Sequence, residues 1–557
     1  MQAIVCAFAL LSAHCGDTSY PLPHDVIIHE IMTDPSPPVS LPEYEYIELR
    51  NLSSKLVQLQ GWKLKGNGGS AVLPAYALAP GALVVVAPRR GASLYHPCID
   101  AGSFFALHND EDLLSLESPT GRVIHAVAVN MRLYAGGFKF AGGWSLEMKD
   151  PAFPCTGTLN WAFSSDPSGG TPGKPNSVAA TIEAPPPPML IRSTTPDSIR
   201  VRLHFSAALD SASAATPLAY NTGLVIQQAI PEPPDYKTVL LRFADTLPPG
   251  AVFQVSTSGL KDCSGQSMPS GSVPYGRPMG AAGLVISEIL PDPVAGADDF
   301  VEIYNNGPSP AELTELRWTV LAEDGGWKPP VPLVRRPYIL FPGEYLALHP
   351  APEGLCRQYT CLGRVEAASL PALGAEAGQL GLFTKEGTLL DEASWNRARH
   401  APELAVTKGV SFERLDFNVS GLEAANWHSA ASTAGYATPG YRNSHQVAGV
   451  SGKEWCSLEP KVLRPGNNGE SDIAWINWKL HAPGFRLDVR IFDAAGRMVR
   501  HLAANISVGN TGRISWNGLG DNGLPLPNGP YAVRMAAWNG NGEQLLRKLA
   551  LVLIRDK

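Results

Sequence analysis

An internal repeat constrains the fold of this chain more than any other feature of its sequence. The first copy opens with two apolar runs, one containing Glu30 and the other Glu48. A second copy opens in the same way, with Glu288 and Glu302 in the corresponding runs. Both copies close on the pattern TPGxxNS. Because a repeated pattern builds the same structural unit each time, the chain is expected to contain two domains of one kind.

Short strands, rather than helices, are predicted throughout the chain. Apolar and charged residues alternate over 199–205 and again over 485–491, which is typical of a strand with one face in water. Gly 54 and Pro 50 in 557 residues supply many turns, and 44% hydrophobic residues supply core material. The fold class predicted is therefore all-β, with four tandem Ig-like β-sandwich domains.

The sequence predicts a signal peptide followed by four domains, with a proline-rich linker between the first and second domains. These segments are a signal peptide at 1–15, the first repeat at 24–178, the linker at 179–189, a small sandwich at 190–275, the second repeat at 283–445 and a C-terminal sandwich at 455–557.

Several motifs resemble known families. The E-I-x-x-D-P opening, the Y-I-E-L-x-N and V-E-I-Y-N strands and the TPGxxN closure resemble the bacterial lamin tail domain, an Ig-like β-sandwich, over 24–178 and 283–445. Residues 190–275 are similar to the bacterial Ig-like domain of surface proteins. The last unit, 455–557, resembles the Ig-like domain of the flagellar hook-capping protein and the sorting domains of the type-nine secretion system. These resemblances imply a cell-surface or secreted binding and spacer protein without catalytic activity.

The amino terminus predicts export. Residues 3–13 form an apolar run that is too short for a membrane span but has the size of a signal-peptide core. Cys15 offers the alternative of a lipoprotein signal, although His14 stands where a small residue is preferred. No later segment reaches membrane-spanning length. We therefore expect a protein of the cell surface or the extracellular space, with attachment to the outer membrane as the variant that lipidation would give.

Six cysteines lie beyond the predicted signal, and no two of them form a CxxC pair with a matching second pair, so a zinc knuckle is not supported. An even number in an exported chain permits disulfides, and buried free thiols are the equally open alternative. Cys356 and Cys361 are close enough to form a local disulfide. Cys98 and Cys155 are the candidates for a second bridge.

The repeated glutamates are the main candidate site. Carboxylates on neighbouring strands could form an acid–base pair or a cation site, but recurrence at the same place in both copies favours a structural role at a sheet edge. The repeated Asn-Trp pairs add one tryptophan per copy. The structural candidates are Glu30, Glu48, Glu288, Glu302, Trp161 and Trp427. The acidic stretch 108–112 lacks calcium-loop spacing. In 465–472, Gly466 and Asn468 stand where the resemblance to terminal domains implies acidic residues of a turn. Calcium is therefore possible but unsupported, and no cofactor or metal is expected.

Other function classes find no support in the sequence. A net charge of −7 argues against a broad nucleic-acid surface. No HExxH, GxSxG or P-loop pattern occurs, so catalytic zinc, a hydrolase serine and nucleotide hydrolysis are unsupported. The leading interpretation is a non-enzymatic surface or secreted scaffold whose partner is an unknown protein or glycan. The alternatives are a cargo or component of a type-nine-like secretion system, and an accessory subunit of a hydrolase or nuclease.

Overall fold

The computed structural model describes residues 21–102, 104–131, 138–402, 404–446, 455–466, 472–540 and 543–555. Strands make up 42% of the structure and helices 8%, which confirms the predicted all-β class. The predicted signal peptide, Cys15 and most of the acidic stretch 465–472 lie outside the described residues. Among the residues that are described, no helix has the length and apolar character needed to cross a bilayer.

The described residues of the first repeat form twelve strands, one short α-helix and two 3-10 helices. The strands are β1 Val26–Met32, β2 Tyr46–Asn51, β3 Val57–Gln58, β4 Lys63–Gly66, β5 Gly69–Val72, β6 Ala77–Leu78, β7 Leu83–Ala87, β8 Cys98–Asp100, β9 Glu111–Glu117, β10 Val123–Asn130, β11 Leu146–Met148 and β12 Trp161–Phe163. The helices are α1 Arg89–Ala92 and the 3-10 turns Phe138–Ala141 and Gly157–Asn160.

Two sheets of the first repeat enclose one hydrophobic core. The larger sheet has the order β12-β11-β1-β2-β7-β8 and the smaller has the order β10-β9-β4-β5. Apolar side chains of both sheets meet between them, including Ile28 and Leu49 from the larger sheet and Leu64 and Leu116 from the smaller. Every residue of β1 is buried, so this central strand is covered on both faces. The cover on its second face is the segment that carries the TPGxxNS pattern.

The segment after the linker supplies seven more strands. They are β13 Leu190–Asp197, β14 Arg200–Phe205, β15 Tyr220–Asn221, β16 Ile226–Glu232, β17 Thr238–Phe243, β18 Val252–Thr257 and β19 Gly271–Gly276, with helix α2 Ser211–Ala214 and a 3-10 turn Pro217–Ala219. In β14 the alternation seen in the sequence becomes a buried face of Val201, Leu203 and Phe205. The strand predicted over 199–205 is therefore present.

The second repeat reproduces the first strand for strand. Its strands are β20 Leu284–Leu290, β21 Phe300–Asn305, β22 Ala311–Glu312, β23 Leu316–Val320, β24 Val331–Pro332, β25 Ile339–Leu340, β26 Tyr345–His349, β27 Arg364–Ala367, β28 Ala377–Thr384, β29 Leu389–Asn396, β30 Phe412–Arg414 and β31 Trp427–Ser429. Its helices are α3 Pro352–Gln358 and the 3-10 turns Leu313–Glu315, Arg397–Arg399, Ala424–Asn426 and Ser432–Ala434. Its sheets have the orders β31-β30-β20-β21-β26-β27 and β29-β28-β23-β24, which match the two sheets of the first repeat position by position.

The C-terminal segment forms a smaller sandwich around its own core. Its strands are β32 Cys456–Glu459, β33 Val462–Leu463, β34 Ala474–Lys479, β35 Phe485–Phe492, β36 Met498–Ser507, β37 Thr511–Trp516, β38 Gly529–Asn539 and β39 Gln544–Leu553. Sheets β32-β34-β37 and β33-β39-β38-β35-β36 pack their apolar faces together around Trp516 and Phe485.

The described residues divide into two compact units. One comprises the chain up to Arg192 with Ile199–Asp245 and Gln254–Val273, and it contains the first repeat. The other comprises Ser193–Ser198, Thr246–Phe253 and the chain from Pro274 onward, and it contains the second repeat and the C-terminal sandwich. The domain boundaries given by the sequence stay a prediction.

The cysteine pairing differs in part from the sequence-based expectation. Cys356 and Cys361 form the local disulfide that their spacing suggests. The bridge between Cys98 and Cys155 does not occur, because Cys155 is joined to Cys263 and Cys98 remains a thiol. Cys98 lies on β8 among the residues that pack around Tyr46, whereas Cys155 lies in the turn after β11, beside Cys263.

Candidate functional site

The glutamates singled out by the repeat face each other across two central strands. On β1 and β2 the register runs from the pair Ile28–Leu49 to the pair Glu30–Glu48, with a β-bulge at His29. The second repeat has the same pairing, Glu288 opposite Glu302, with its bulge in the same place. A bulge turns the side chains that follow it toward a new direction. Here the bulge places the two carboxylates side by side on the outer face of the sheet.

The expected location at a sheet edge is wrong. Strands β1 and β2 are the third and fourth of six in their sheet, and Glu30 and Glu48 are both 0% exposed. A carboxylate at this place has lost its water, so protein donors must replace the lost hydrogen bonds. The sequence alone did not show that the outer face of the sheet is also covered.

Each repeat has a third carboxylate beside this pair, which is not among the candidates predicted from the sequence. Glu147 on β11 pairs with Glu30 on β1, and Glu413 on β30 pairs with Glu288 on β20. Both added residues are 0% exposed. The signal was present in the repeated tripeptides Ser-Leu-Glu and Ser-Phe-Glu, which end on these residues. We call the three glutamates of each repeat its carboxyl cluster.

Glu30 binds both its neighbouring strands and the closing segment. Its Oε1 accepts hydrogen bonds from the Tyr46 hydroxyl at 2.6 Å, the Ser145 hydroxyl at 2.6 Å and the Thr171 amide at 2.8 Å. Its Oε2 lies 3.2 Å from the Thr171 hydroxyl. One carboxyl group thus ties strand β2, the residue before β11 and the start of the TPGxxNS pattern to β1.

The other two members of the cluster bind the rest of the same segment. Glu48 accepts the Gly173 amide at 2.5 Å. Glu147 accepts the Ser177 hydroxyl at 2.8 Å and the Val178 amide at 3.1 Å, and its other oxygen lies 3.0 Å from the Thr171 hydroxyl. The repeated threonine, glycine and serine of TPGxxNS are therefore the partners of the repeated glutamates.

The bulge residue also serves the cluster in the first repeat. His29 Nδ1 lies 3.1 Å from Glu48 Oε1, and the Arg50 guanidinium lies 3.4 Å from His29 Nε2. Arginine can only donate, so Nε2 accepts and Nδ1 carries the hydrogen that is donated to Glu48. Burial lowers the pKa of His29 to about 3, with the nearby Arg50 charge acting in the same direction, so the ring is neutral at neutral pH.

The second repeat makes the equivalent hydrogen bonds with different neighbours. Glu288 accepts from the Thr438 amide at 2.9 Å and from the Ser411 hydroxyl, and Glu302 accepts the Gly440 amide at 2.6 Å. The bulge residue here is serine, which donates to Glu302 at 2.8 Å in place of the histidine. The hydrogen bonds between the glutamates and the closing segment thus occur in both copies, whereas the side chain at the bulge differs between them.

The glycine of TPGxxNS is required by both its conformation and its surroundings. Gly173 and Gly440 have φ of +77° and +82°, a region that disfavours residues with a side chain. A Cβ on Gly173 would lie 2.5 Å from the His96 carbonyl oxygen. The backbone amide that reaches Glu48 or Glu302 is therefore delivered by a residue that cannot be replaced without strain.

The geometry of each carboxyl cluster favours a bound proton. The Thr171 hydroxyl lies within hydrogen-bond distance of both Glu30 and Glu147, but a hydroxyl has one hydrogen to donate. Both contacts are full hydrogen bonds only when one of the two carboxyls donates to the threonine. The Thr438 hydroxyl stands in the same way between Glu288 at 2.9 Å and Glu413 at 3.0 Å, so the second repeat has the same requirement.

The electrostatics of the clusters agree with a bound proton. Burial, followed by the charge of Glu48, raises the pKa of Glu30 to about 7. Burial raises the pKa of Glu48 to about 8, although the Gly173 amide acts against it. In the second repeat, burial and the charge of Glu413 raise the pKa of Glu288 to about 8, and burial also raises the pKa of Glu302. Desolvation dominates in every case, as it does for carboxyls removed from water.

The tryptophan candidates belong to the hydrophobic cores. Trp161 and Trp427 are 4% and 6% exposed and pack with the core residues of their repeats. The asparagine before each one closes a turn, since Asn160 Oδ1 accepts the Asp150 amide and Asn426 Oδ1 accepts the Asp416 amide. These repeated pairs therefore fix the β11–β12 connection and its counterpart.

Backbone amides hold the acidic stretch 108–112 in place through the side chain of Asp112. Asp112 is 3% exposed, and its carboxylate accepts amide hydrogens from Asn67 at 2.7 Å, Leu113 at 2.8 Å and His108 at 3.1 Å. These three donors account for the conformation of the loop. The carboxyl clusters and this loop thus use their acids to hold neighbouring backbone in place.

Two stretches match known families. Residues 21–130 match the lamin tail domain, and residues 467–541 match the FlgD Ig-like domain. The first repeat contains a lamin tail domain. Over these residues the matches confirm the predicted resemblance of the first repeat to the lamin tail domain and of the C-terminal unit to the hook-capping Ig-like domain. The assignment of the second repeat to the lamin tail domain and the resemblance of the C-terminal unit to type-nine sorting domains stay predictions. No match was found among curated proteins.

Several solved structures of bacterial surface proteins are similar at low identity. The N-terminal part of the S-layer protein SbsC is 15% identical, with 38% of this chain and 43% of that chain covered and a TM-score of 0.17. Dimeric latent PorU from Porphyromonas gingivalis is 11% identical, with 71% and 35% covered and a TM-score of 0.15. PorZ, a surface component of the type-IX secretion system of Porphyromonas gingivalis, is 13% identical, with 92% and 69% covered and a TM-score of 0.16. The chain spans less than half the length of the first two, and TM-scores this low have no bearing on function.

Proposed function

We propose that this chain is a non-enzymatic, exported multidomain protein that acts at the cell surface or outside the cell as a binding and spacer protein. The observation that carries the proposal is the internal use of the repeated polar motif. In both repeats the shared glutamates are 0% exposed and their oxygens bind the domain's own closing segment. Buried carboxyl groups that hydrogen-bond to their own domain in this way are not accessible to a substrate.

We also propose that residues 283–445 form a second lamin tail domain. The sheet orders of the two repeats are the same, and the carboxyl cluster recurs with equivalent partners in TPGxxNS. Tandem copies of one domain lengthen a chain and repeat its surface loops. This arrangement suits a spacer that presents binding loops.

The features that differ between the repeats are the better candidates for binding. In the lamin tail domain, Phe138 is 76% exposed and its ring lies edge-on to Trp144 with 5.7 Å between centroids. The Lys139 ammonium lies 4.3 Å from the centre of the Trp144 ring. The position equivalent to Trp144 in the second repeat is Val410, which is buried. Exposed aromatic rings beside a cation stack on protein side chains and on sugar rings, so we place the binding surface here.

Surface location is tested by protease treatment of intact cells that express the chain at its native level. We expect the protease to cleave the chain while a cytoplasmic marker stays intact. Full protection of the chain until the cells are broken would contradict the proposed location. A steady turnover of nucleic acid or glycan by the purified chain would contradict the non-enzymatic assignment.

The binding surface is tested with purified full-length chain and isolated envelope protein and glycan fractions. Phe138→Ala should weaken binding to the fraction that retains the wild-type chain. The matched control is Leu218→Ala, because Leu218 is 93% exposed and lies in the middle segment. Equal retention of both variants would remove the aromatic surface from the proposal.

A further inference from the structure

A second cluster of chemically capable side chains lies apart from the carboxyl clusters. His24, Cys155 and Cys263 each place one ligand atom within 4.8 Å of the others. His24 precedes β1, Cys155 follows β11, and Cys263 lies between β18 and β19. The two cysteines are 108 residues apart, so no spacing motif in the sequence could show the group. All three residues belong to the first compact unit.

The backbone fixes His24 at this place. Its φ of +67° lies in the left-handed region, where a residue with a side chain is uncommon. Its amide donates to the Ile124 carbonyl at 2.7 Å, and its ring lies edge-on to His125 with 5.7 Å between centroids. These contacts hold the imidazole beside the two sulfur atoms.

A cavity of about 320 Å³ opens next to the three residues. It is large enough for an ion and several water molecules. Of the other polar side chains that line it, His125 uses both ring nitrogens, on the Ile28 amide and the Pro154 carbonyl, each at 3.0 Å. Asp210 accepts the Ser213 amide at the start of α2. Asp235 also lines the cavity and accepts the Lys237 amide at 3.3 Å. His24 and the two cysteines are the group whose ligand atoms lie within 4.8 Å of one another, and the cavity has room for water as a fourth ligand.

We propose that reduction of the Cys155–Cys263 disulfide converts this cluster into a zinc site formed by His24 and the two cysteines. Two thiolates, one imidazole and one water make a tetrahedral set that suits Zn²⁺. Ligand atoms on one tetrahedral zinc lie about 3–4 Å apart, as bond lengths of about 2.0–2.3 Å require. The His24 ring nitrogen lies within 4.8 Å of both sulfurs, and the two sulfurs, which are bonded in the disulfide, separate when reduction breaks the bond.

The exchange between the two states balances. A thiol or phosphine reductant supplies two electrons, the sulfur–sulfur bond breaks, and each sulfur takes up one proton. Zinc binding then releases both protons, because the thiolate is the ligand. In the reverse direction a disulfide oxidant takes two electrons from the thiolates, the sulfur–sulfur bond forms again, and zinc leaves with its water.

The experiment compares oxidised and phosphine-reduced full-length chain. Both forms are desalted without oxygen, incubated with Zn²⁺ against a competing chromogenic chelator, and analysed for bound metal. We expect one zinc per reduced wild-type chain and none per oxidised chain. Cys155→Ser should abolish the bound zinc, and His24→Gln should weaken its affinity about tenfold or more. Co²⁺ should give a thiolate charge-transfer absorption in the reduced wild-type chain alone.

The second disulfide provides the matched control. The double variant Cys356→Ser, Cys361→Ser removes the other pair of thiols released by reduction, and it should retain the zinc. Cys98 and Cys456 are present in every variant and so measure adventitious thiol binding. The proposal is overturned if reduced wild type holds no more zinc than Cys155→Ser, if the double variant loses the zinc, or if His24→Gln binds as tightly as wild type.

Discussion

Removing one hydroxyl, by Thr171→Val, tests the carboxyl cluster of the first repeat. The Thr171 hydroxyl is the group that joins Glu30 at 3.2 Å to Glu147 at 3.0 Å, and the residue is 4% exposed. Valine has nearly the same shape, so packing is kept while Glu30 Oε2 and Glu147 Oε1 both lose the hydroxyl that joins them. A buried polar group without a partner costs about 1–3 kcal/mol. At about 2 kcal/mol, the closing segment should open roughly 30-fold more often, since about 1.4 kcal/mol corresponds to a factor of ten.

Hydrogen exchange of the intact chain measures this opening directly. The Gly173 and Val178 amides donate to cluster glutamates, so their exchange reports opening of the closing segment. The Thr438 and Gly440 amides of the second repeat are an internal control. Thr171→Val should accelerate exchange in the first pair about 30-fold and leave the second pair unchanged. Unchanged exchange in the first pair, or equal acceleration in both pairs, would refute the role given to the hydroxyl.

Three further predictions concern stability. The folded-state pKa values of Glu30 and Glu48, about 7 and about 8, exceed the ordinary value of 4.5, so the folded chain keeps protons that the unfolded chain releases, and thermal stability should fall from pH 5 to pH 8. A midpoint that is flat or rises over this range would contradict the assignment. Glu302→Gln should lower the free energy of unfolding by less than about 1 kcal/mol at neutral pH, because glutamine resembles the protonated acid. For the same reason the midpoint of thermal unfolding should depend less on pH in this variant. A steeper dependence on pH in the same calorimetric scans would contradict the prediction. Replacing Cys356 and Cys361 by serine should remove about 2 kcal/mol under oxidising conditions and nothing under reducing conditions, as measured by thermal unfolding.

Much of the fold follows from local sequence, and so does part of the site. Alternation of apolar and charged residues marks a strand such as β14, because the side chains of a strand point to opposite faces. The repeat identified Glu30 and Glu48 as a linked pair, since two strands joined by a connection within one domain commonly become neighbours. The TPGxxNS pattern was visible as the end of each copy, but its role as the partner of the glutamates was not.

The remainder of the site depends on contacts between distant parts of the chain. Glu147 joins the cluster because β11 pairs with β1, and no local pattern shows that pairing. The sheet-edge expectation failed for the same reason, since only the folded chain shows that the closing segment covers β1. The pairing of Cys155 with Cys263 crosses 108 residues, and sequence spacing does not determine such connectivity.

The most direct measurement of the bound protons is isotope-edited infrared spectroscopy of the full chain with ¹³C-labelled glutamate. A protonated carboxyl absorbs apart from an ionised one, and exposed glutamates are ionised at pH 7. We predict a protonated-glutamate band at pH 7 that diminishes in the double variant Glu30→Gln, Glu288→Gln, because Glu30 and Glu288 lie beside the shared threonine hydroxyl and burial raises the pKa of both. A wild-type spectrum at pH 7 that shows ionised glutamate alone would contradict the account of both carboxyl clusters.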